Sequence, residues 1–176
     1  LHTNQEMEIM AKTILYTFKD KKVFEAGIGN CYFVKLTKIK PEMYYGVDSS
    51  KKAIKQFRAN ALGFYRRCST NSFEESINRW LSADSVVISL FGTASYFMHQ
   101  YLEKLGESGL DYCLMFYRED FEPEEFKEMH HFKYDRVQLK AMFPGCNIYN
   151  HQKYITISSK KLIWQKPTVE NELFPV

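Results

Sequence analysis

Apolar residues follow two different spacings along the first 120 positions of this chain. Short continuous apolar runs predict buried strands at 23–25, 43–48, 86–91 and 110–117. Between these runs, apolar residues recur at helical spacing and predict helices at 5–18, 31–38, 51–62, 72–81 and 94–105. A more polar run at 64–69 predicts one further strand. Alternation of strands and helices is typical of βαβ units, so we expect a parallel sheet.

The pattern changes after Pro123. Residues 124–128 predict a short charged helix at most, and 137–143 suit either helix or strand. A Pro-Gly turn at 144–145 precedes two predicted strands, 148–151 and 154–158, which a tight turn would join into a hairpin. The hairpin would add an antiparallel strand to a doubly wound α/β sheet. We expect one domain over 1–176, with an N-terminal helix in 1–20 and a flexible tail at 166–176.

Composition and charge exclude few classes of function. The chain has 176 residues, of which 45% are hydrophobic and 26% charged, as in a soluble globular protein. No apolar run approaches the roughly 18 residues of a membrane span, and the polar N-terminus is unlike a signal peptide. A net charge of +3, from basic residues scattered along the sequence, does not favour nucleic acid. Four cysteines without C-x-x-C spacing predict reduced thiols, a cytoplasmic location and no metal site.

Candidate chemistry begins in the sequence KKVFEAGIGNCYFVKL at 21–36. Its apolar run ends in Glu25, and Gly27 and Gly29 precede a helical segment, so a ligand could approach the backbone and the free N–H groups there. Asp48 ends the next strand, where a carboxylate can accept hydrogen bonds from both hydroxyls of a ribose. This pattern predicts a nucleoside-bearing cofactor, and the alternative is a tight turn with a helix-capping acid.

At these residues the chain resembles the class I S-adenosylmethionine-dependent methyltransferases. Their first motif is an acid, any residue, Gly, any residue and Gly, often with a third Gly. Glu25, Gly27 and Gly29 match, whereas Cys31 stands where the third Gly usually lies and would narrow the turn. The resemblance continues through GVDSS and VVISLFG and covers 5–160. It implies a Rossmann-like, mostly parallel seven-stranded sheet with one antiparallel strand from the C-terminal hairpin.

The resemblance also implies S-adenosyl-L-methionine as the cofactor and gives roles to residues of this chain. The backbone of Gly27 and Gly29 would pass beside the methionyl part, with Glu25 near its ammonium group. Asp48 would bind the ribose hydroxyls, and Ser49 would lie beside the adenosine. The other implied contacts are Ala26 in the turn, Asn71 at the exocyclic amine of adenine, Ser72 and Phe73 at its ring, and Leu90 and Phe91 as a wall.

The methyl acceptor is less constrained by the sequence. LFGT, and not an N-P-P-[YF] motif, follows the strand at 86–91, which argues against the amide or adenine methylation tied to that motif. A small-molecule acceptor is the first expectation and a protein side chain the second. Two alternatives remain. One is a nicotinamide-dependent oxidoreductase. The NAD motif requires a third glycine where this chain has Tyr32, whose side chain we expect to obstruct helix–strand packing, which argues against this alternative. The other is a non-catalytic module that binds the cofactor or a protein.

No residue can be assigned a catalytic role from the sequence, although an amine or hydroxyl acceptor can require a general base. The candidates lie near the ends of the fourth and fifth strands and in the linker that follows: Tyr96, His99, Tyr117, Arg118, Glu119, Asp120, His130 and His131. Each also suits an ordinary packing or surface role. The histidine pair lacks recognisable zinc-ligand spacing.

Overall fold

The computed structural model describes residues 4–79, 82–121 and 131–166. Its helices are α1 (Asn4–Thr17), α2 (Tyr32–Leu36), α3 (Lys51–Asn60), α4 (Phe73–Ile77), α5 (His99–Glu107) and α6 (Arg136–Met142). Its strands are β1 (Lys22–Ala26), β2 (Tyr44–Asp48), β3 (Cys68–Thr70), β4 (Ser85–Ser89), β5 (Asp111–Tyr117), β6 (Asn147–His151) and β7 (Tyr154–Ser158).

The seven strands form one sheet in the order β3-β2-β1-β4-β5-β7-β6. Strands β1 to β5 pair in parallel, whereas β7 is antiparallel to both β5 and β6. Glu25 pairs in register with Gly46 of β2 and Ile88 of β4, so the carboxyl ends of these three strands meet at one edge. The predicted doubly wound α/β sheet, with its antiparallel hairpin strand, is confirmed.

Helices cover both faces of the sheet, which explains the continuous apolar runs of the strands. On one face, Ile14 of α1, Phe33 of α2 and Phe57 of α3 are buried in the same core. On the other, Leu105 of α5 and Leu139 of α6 belong to a second core. Every residue of β4 is buried, so its sequence shows no alternation of apolar and polar positions.

The weakest of the predicted strands was misplaced. Residues 64–69 were expected to be extended, but β3 is only Cys68–Thr70. Phe64 instead ends a 3-10 turn, and its ring meets Tyr44 and Phe57 edge-on, with centroids 5.7 and 6.4 Å apart. Packing of this one aromatic ring therefore overrides the local strand pattern.

The predicted helix at 94–105 is also wrong in part. Residues 94–96 form a 3-10 turn, and α5 begins only at His99. The interruption is at Phe97, which has extended backbone and stacks on Phe73 with centroids 4.2 Å apart. The segment left open between helix and strand contains α6, whose Asp135 and Gln138 form a capping box.

Several sequence predictions fall outside the described residues: the end of the helix at 72–81, the charged helix at 124–128, His130 and most of the tail. Among the helices that are described, none is long and apolar enough to cross a membrane. All four cysteines are free thiols, and the cytoplasmic location stays a prediction.

The C-terminal segment crosses α1. The backbone N–H of Ile163 donates to Thr17 Oγ1 and that of Gln165 donates to Thr13 Oγ1, each at 3.0 Å. From the hairpin, Gln152 Nε2 donates to Glu6 Oε1 at 2.7 Å. Polar contacts from distant parts of the chain therefore fix the position of α1.

Gly106 lies within α5, where alanine ordinarily favours a helix. A Cβ there would lie 2.0 Å from the carbonyl oxygen of Met142 in α6. We expect Gly106→Ala to lower the free energy of unfolding by about 1–3 kcal/mol in urea denaturation. As a control, Gly63→Ala, whose Cβ would be 3.9 Å from Pro41 Cγ, should be neutral or stabilising. A stabilised Gly106→Ala would contradict the close packing of α5 on α6.

Candidate functional site

The turn after β1 has the geometry that its glycines predict. Gly27 and Gly29 have φ values of 83° and 54°, in the left-handed region that side chains disfavour. The N–H of Gly27 donates to the carbonyl of Val47 on β2 at 2.8 Å. A Cβ on Gly27 would lie 2.2 Å from Thr93 Cγ2, so the Thr93 side chain leaves room for glycine only. Gly29 is exposed and has no atom within 4 Å of where its Cβ would be, so the backbone of the turn is open there to close approach by a ligand.

Cys31 sits at the left-handed position for which a third glycine would be suited. Its φ and ψ are 56° and 31°, and it precedes α2 without a side-chain capping bond. The side chain is buried in the core that contains Phe33 and Tyr44, and does not project across the turn. The departure from the motif thus costs backbone strain, on the order of 1–3 kcal/mol for such a residue, and does not narrow the turn as expected.

Asp48 links the turn that follows β1 to the turn that follows β2, at the end of the sheet where the cavity lies. Its Oδ2 accepts a hydrogen bond from the N–H of Gly29 at 3.1 Å, and its Oδ1 accepts one from the N–H of Ser50 at 2.9 Å. Ser50 in turn caps α3, because its Oγ accepts from the N–H of Ala53 at 3.2 Å. The predicted ribose acceptor therefore also orders the turn, and Ser49 lies exposed beside it.

Glu25 is a buried carboxyl group at the bottom of the turn. Only 3% of it is exposed, and its Oε1 accepts a hydrogen bond from the hydroxyl of Tyr44 at 2.7 Å. Burial raises the pKa of Glu25 to about 8. The hydrogen bond from Tyr44 acts in the opposite direction and lowers this pKa, whereas the nearby negative charge of Asp48 raises it slightly further. The ligand-free protein therefore holds a protonated carboxyl group here at neutral pH.

The residues expected at the adenine form the start of α4. Ser72 and Glu75 make a capping box, in which the N–H of Ser72 donates to the Glu75 carboxylate at 3.2 Å. With its amide oriented to satisfy its neighbours, Asn71 donates to Glu75 at 3.2 Å and accepts from Ser69 Oγ at 2.9 Å. Phe73 is buried on Phe97. The polar groups expected to meet the adenine thus already hold the start of α4.

The end of β4 supplies the opposite wall. Phe91 and Gly92 both have positive φ, 54° and 89°. A Cβ on Gly92 would lie 2.2 Å from the ring of Tyr117, which is therefore packed against the backbone of this turn. Leu90 is buried, and Phe91 packs edge-on against Tyr154 with centroids 6.0 Å apart.

These groups surround a cavity of about 580 Å³. Ten of the eleven implied cofactor residues line it: Glu25, Gly27, Gly29, Asp48, Ser49, Asn71, Ser72, Phe73, Leu90 and Phe91. Ala26 is the exception, because its side chain is fully buried in the core that contains Phe24 and Val87. The volume is within the range that protein cavities offer to small ligands.

Sequence reasoning missed part of the cavity wall. Met7 and Ala11 come from α1, Glu74 from α4 and Thr93 from the turn after β4. Tyr32, expected to obstruct helix–strand packing, is instead 39% exposed and lines the cavity, so it gives no argument against a dinucleotide. Only one of these contacts carried a local signal in the sequence, namely that of Thr93 with Gly27, the first glycine of the predicted turn.

The candidate catalytic residues divide into two groups. Tyr96 and Tyr117 line the cavity. His99 is outside its wall and bonds Glu103 of its own helix at 2.8 Å, and Arg118 pairs with Asp120 at 2.9 Å. The remaining candidates, Glu119 and His131, are not among the lining residues, although the His131 ring centroid is 6.0 Å from that of Tyr96. The described residues contain no cluster of potential metal ligands.

Comparison with protein-family models and with curated proteins found no match to this sequence. Solved structures do match in fold. The CcbJ methyltransferase from Streptomyces caelestis aligns with 89% of this chain and 95% of its own, at 13% identity and a TM-score of 0.64. DesVI from Streptomyces venezuelae aligns with 88% of this chain and 92% of its own, at 11% identity and a TM-score of 0.62.

A third similar structure is the magnesium protoporphyrin IX methyltransferase ChlM from Synechocystis PCC 6803, which was solved with bound S-adenosylmethionine. It is 14% identical, with a TM-score of 0.56, and the alignment covers 88% of this chain and 77% of that protein. The chain therefore has the fold of the class I S-adenosylmethionine-dependent methyltransferases, as the glycine and acid motifs predict.

The buried Glu25 carboxyl predicts a pH dependence of stability. In the unfolded chain it ionises near its ordinary pKa of 4.5, whereas in the folded protein its pKa is about 8. Between these values the unfolded state binds fewer protons, so the free energy of unfolding should fall with rising pH by roughly 3–5 kcal/mol. Glu25→Gln, a neutral isostere, should remove this fall when urea unfolding at pH 5 and pH 8 is compared.

Glu107→Gln is the matched control, because it replaces an exposed acid on α5. This control should keep the pH dependence of the unchanged protein. Equal pH dependence in the Glu25→Gln variant and the unchanged protein would contradict a protonated, buried Glu25.

Proposed function

We propose that this chain transfers the methyl group of S-adenosyl-L-methionine to a small-molecule acceptor. One observation carries the proposal: the carboxyl groups of Glu25 and Asp48 meet one cavity at a glycine turn. The first suits an ammonium group and the second a ribose diol, so together they fit the two polar ends of the methionyl-adenosine pair. The methyltransferase fold supports the same conclusion.

The cofactor roles follow from this arrangement. The backbone of Gly27 and Gly29 would lie beside the methionyl part, and Asp48 would accept hydrogen bonds from the ribose while it keeps its bonds to the turn. Asn71 Oδ1 has a second lone pair for the exocyclic amine of adenine, beside its bond from Ser69. Leu90 would form part of the apolar wall.

Bound in this cavity, S-adenosyl-L-methionine would supply a methyl group that its sulfonium already activates. What the chain adds is alignment of the acceptor behind that methyl group and exclusion of water. The ring of Tyr117, packed on Gly92, and the ring of Tyr96 give this part of the cavity fixed aromatic walls. No general base is assigned, since no described histidine lines the cavity.

A small acceptor fits the wall better than a polypeptide. Met7 and Ala11 of α1, together with the aromatic residues, make much of the cavity wall apolar. Such a wall suits a compact apolar or aromatic molecule. ChlM, named for a magnesium protoporphyrin methyltransferase, is an example of this fold with a small-molecule substrate. A protein side chain is the second proposal for the acceptor.

A nicotinamide dinucleotide fits the electrostatics less well. Its diphosphate would have to pass the glycine turn, where Glu25 and Asp48 are both part of the cavity wall. The Asp48 carboxylate disfavours a doubly negative ligand, and a cationic group beside Glu25 would favour ionisation of its carboxyl group, whereas a diphosphate would oppose it. The oxidoreductase and the non-catalytic module are therefore outcomes of the binding test and not second proposals.

Asp48→Asn tests the ribose assignment without deleting the side chain that orders the turn. The amide oxygen can still accept one backbone hydrogen bond, but the negative charge is lost. We expect the affinity for S-adenosylmethionine and S-adenosylhomocysteine, measured by isothermal titration calorimetry, to fall by about 10- to 100-fold. Asp84→Asn, an exposed acid in the turn before β4, should bind as the unchanged protein does.

The same titrations separate the alternatives. Binding of NAD and not of the methyl donor would favour an oxidoreductase, and no binding of either would favour a protein-interaction module. Unchanged affinity in Asp48→Asn would refute the ribose contact. Methyl transfer from labelled donor into a mixture of small metabolites, compared with transfer into protein, distinguishes the two acceptor classes.

Glu25 also predicts proton release on binding. Its raised pKa, about 8, means that it holds a proton in the ligand-free protein at pH 6.5. An ammonium group beside it would lower that pKa, so binding should release close to one proton. Calorimetry in two buffers of different ionisation enthalpy measures this number, and Glu25→Gln should abolish the release. Tight binding without proton release would place the ammonium elsewhere and leave the Asp48 contact standing.

A further inference from the structure

Charge is divided between the two halves of the sheet. Residues 21–70 contain eleven Lys and Arg against three Asp and Glu, whereas the rest of the chain contains thirteen against eighteen. Residues 21–70 include β1, β2 and β3, which are consecutive in the sheet and end at its β3 edge. Within this range, residues 51–70, which include α3 and the edge strand β3, contain six Lys and Arg and no Asp or Glu, so the fold places at this edge a positive charge that the net value of +3 conceals.

Helix α3 carries the centre of this charge. Lys51, Lys55 and Arg58 recur at spacings of four and three, which places them along one ridge about 10 Å long. Lys51, Lys52 and Lys55 are exposed. Within the described parts of the chain, none of these three lysines has an ion-pair partner. Their charges are therefore available to an external anion.

An exposed aromatic ring lies beyond the C-terminal end of the ridge. Tyr65 is 57% exposed, and the guanidinium carbon of Arg58 is 5.1 Å from its ring centroid. Arg58 Nε also donates to the carbonyl of Tyr65 at 3.3 Å, which holds the ring at the end of α3. An aromatic platform beside a row of basic residues is the arrangement with which proteins stack a base while binding phosphates.

The turn after α2 extends the same surface. Arg67 Nε donates to the carbonyls of Pro41 and Tyr44 at 2.7 and 2.9 Å. These bonds bring the exposed Lys40 close to the loop that contains Tyr65 and the exposed Arg66. We name the resulting surface the lysine face; it consists of Lys40, Lys51, Lys52, Lys55, Tyr65 and Arg66.

We propose that the lysine face binds single-stranded nucleic acid, with phosphates on the lysines and a base stacked on Tyr65. The scatter of basic residues along the sequence does not favour nucleic acid, but the fold brings them together. A membrane surface is the poorer partner, because Ile54 and Phe57, the apolar side of α3, are buried in the core and cannot insert. This proposal depends on neither the cofactor nor methyl transfer.

Fluorescence anisotropy with a labelled single-stranded 12-nucleotide RNA, and its DNA counterpart, tests the proposal on the full chain. Four lysine–phosphate contacts should make the affinity fall about fifty-fold between 50 and 200 mM salt. Lys51→Glu with Lys55→Glu should weaken binding at least about tenfold at 50 mM salt. Tyr65→Ala should weaken binding at least about fivefold and leave the salt dependence unchanged.

The control reverses the same number of charges elsewhere. Lys104→Glu with Lys140→Glu, on α5 and α6, should bind as the unchanged protein does, and thermal melts verify that each variant is folded. No binding at 50 mM salt, an equal loss in the control, or no effect of Tyr65→Ala would each overturn the proposal. Co-sedimentation with phosphatidylglycerol vesicles without oligonucleotide binding would overturn it in favour of a membrane surface.

Discussion

The ligand end of this sheet depends on the hydrogen bonds of one carboxylate. Asp48 ends β2 and accepts bonds from the N–H of Gly29, in the turn after β1, and from that of Ser50, which begins the connection to α3. One side chain therefore sets the relative position of two successive βα connections. Because Asp48 also lines the cavity, recognition of a ligand and the shape of the turn are coupled at this position.

The position of the cavity was predictable because its signals are local, whereas the cofactor contacts of its residues stay predictions. An apolar run that ends in Glu25, a glycine pair and an acid after the next run occupy fixed places in a parallel sheet. β4 was equally clear, since it is buried on both faces. β3, at the sheet edge, has only three residues, which is too short for a sequence pattern to locate it. The segment before it forms a turn and not a strand because Phe64 packs on Tyr44.

The sequence could not show contacts that distant elements supply. The environment of Glu25 depends on Tyr44 and on the core around it, and the space at Gly27 depends on Thr93. Tyr32 lies outward after a left-handed Cys31, and no pattern of apolar residues encodes that conformation. Burial, steric exclusion and the gathering of charge arise only when separate βα units are packed together.

The crossing of α1 by the C-terminal segment bears on how this protein is synthesised. The Thr13 hydroxyl bonds a backbone group 152 positions later, so α1 leaves the ribosome long before this partner exists. The βα units of the sheet can pair progressively, whereas the wall that Met7 and Ala11 give the cavity is secured only after Gln165 has been synthesised. The α1 wall of the cavity is thus completed after the βα units of the sheet have been made, and ligand present at that moment would favour the finished arrangement over its open precursors.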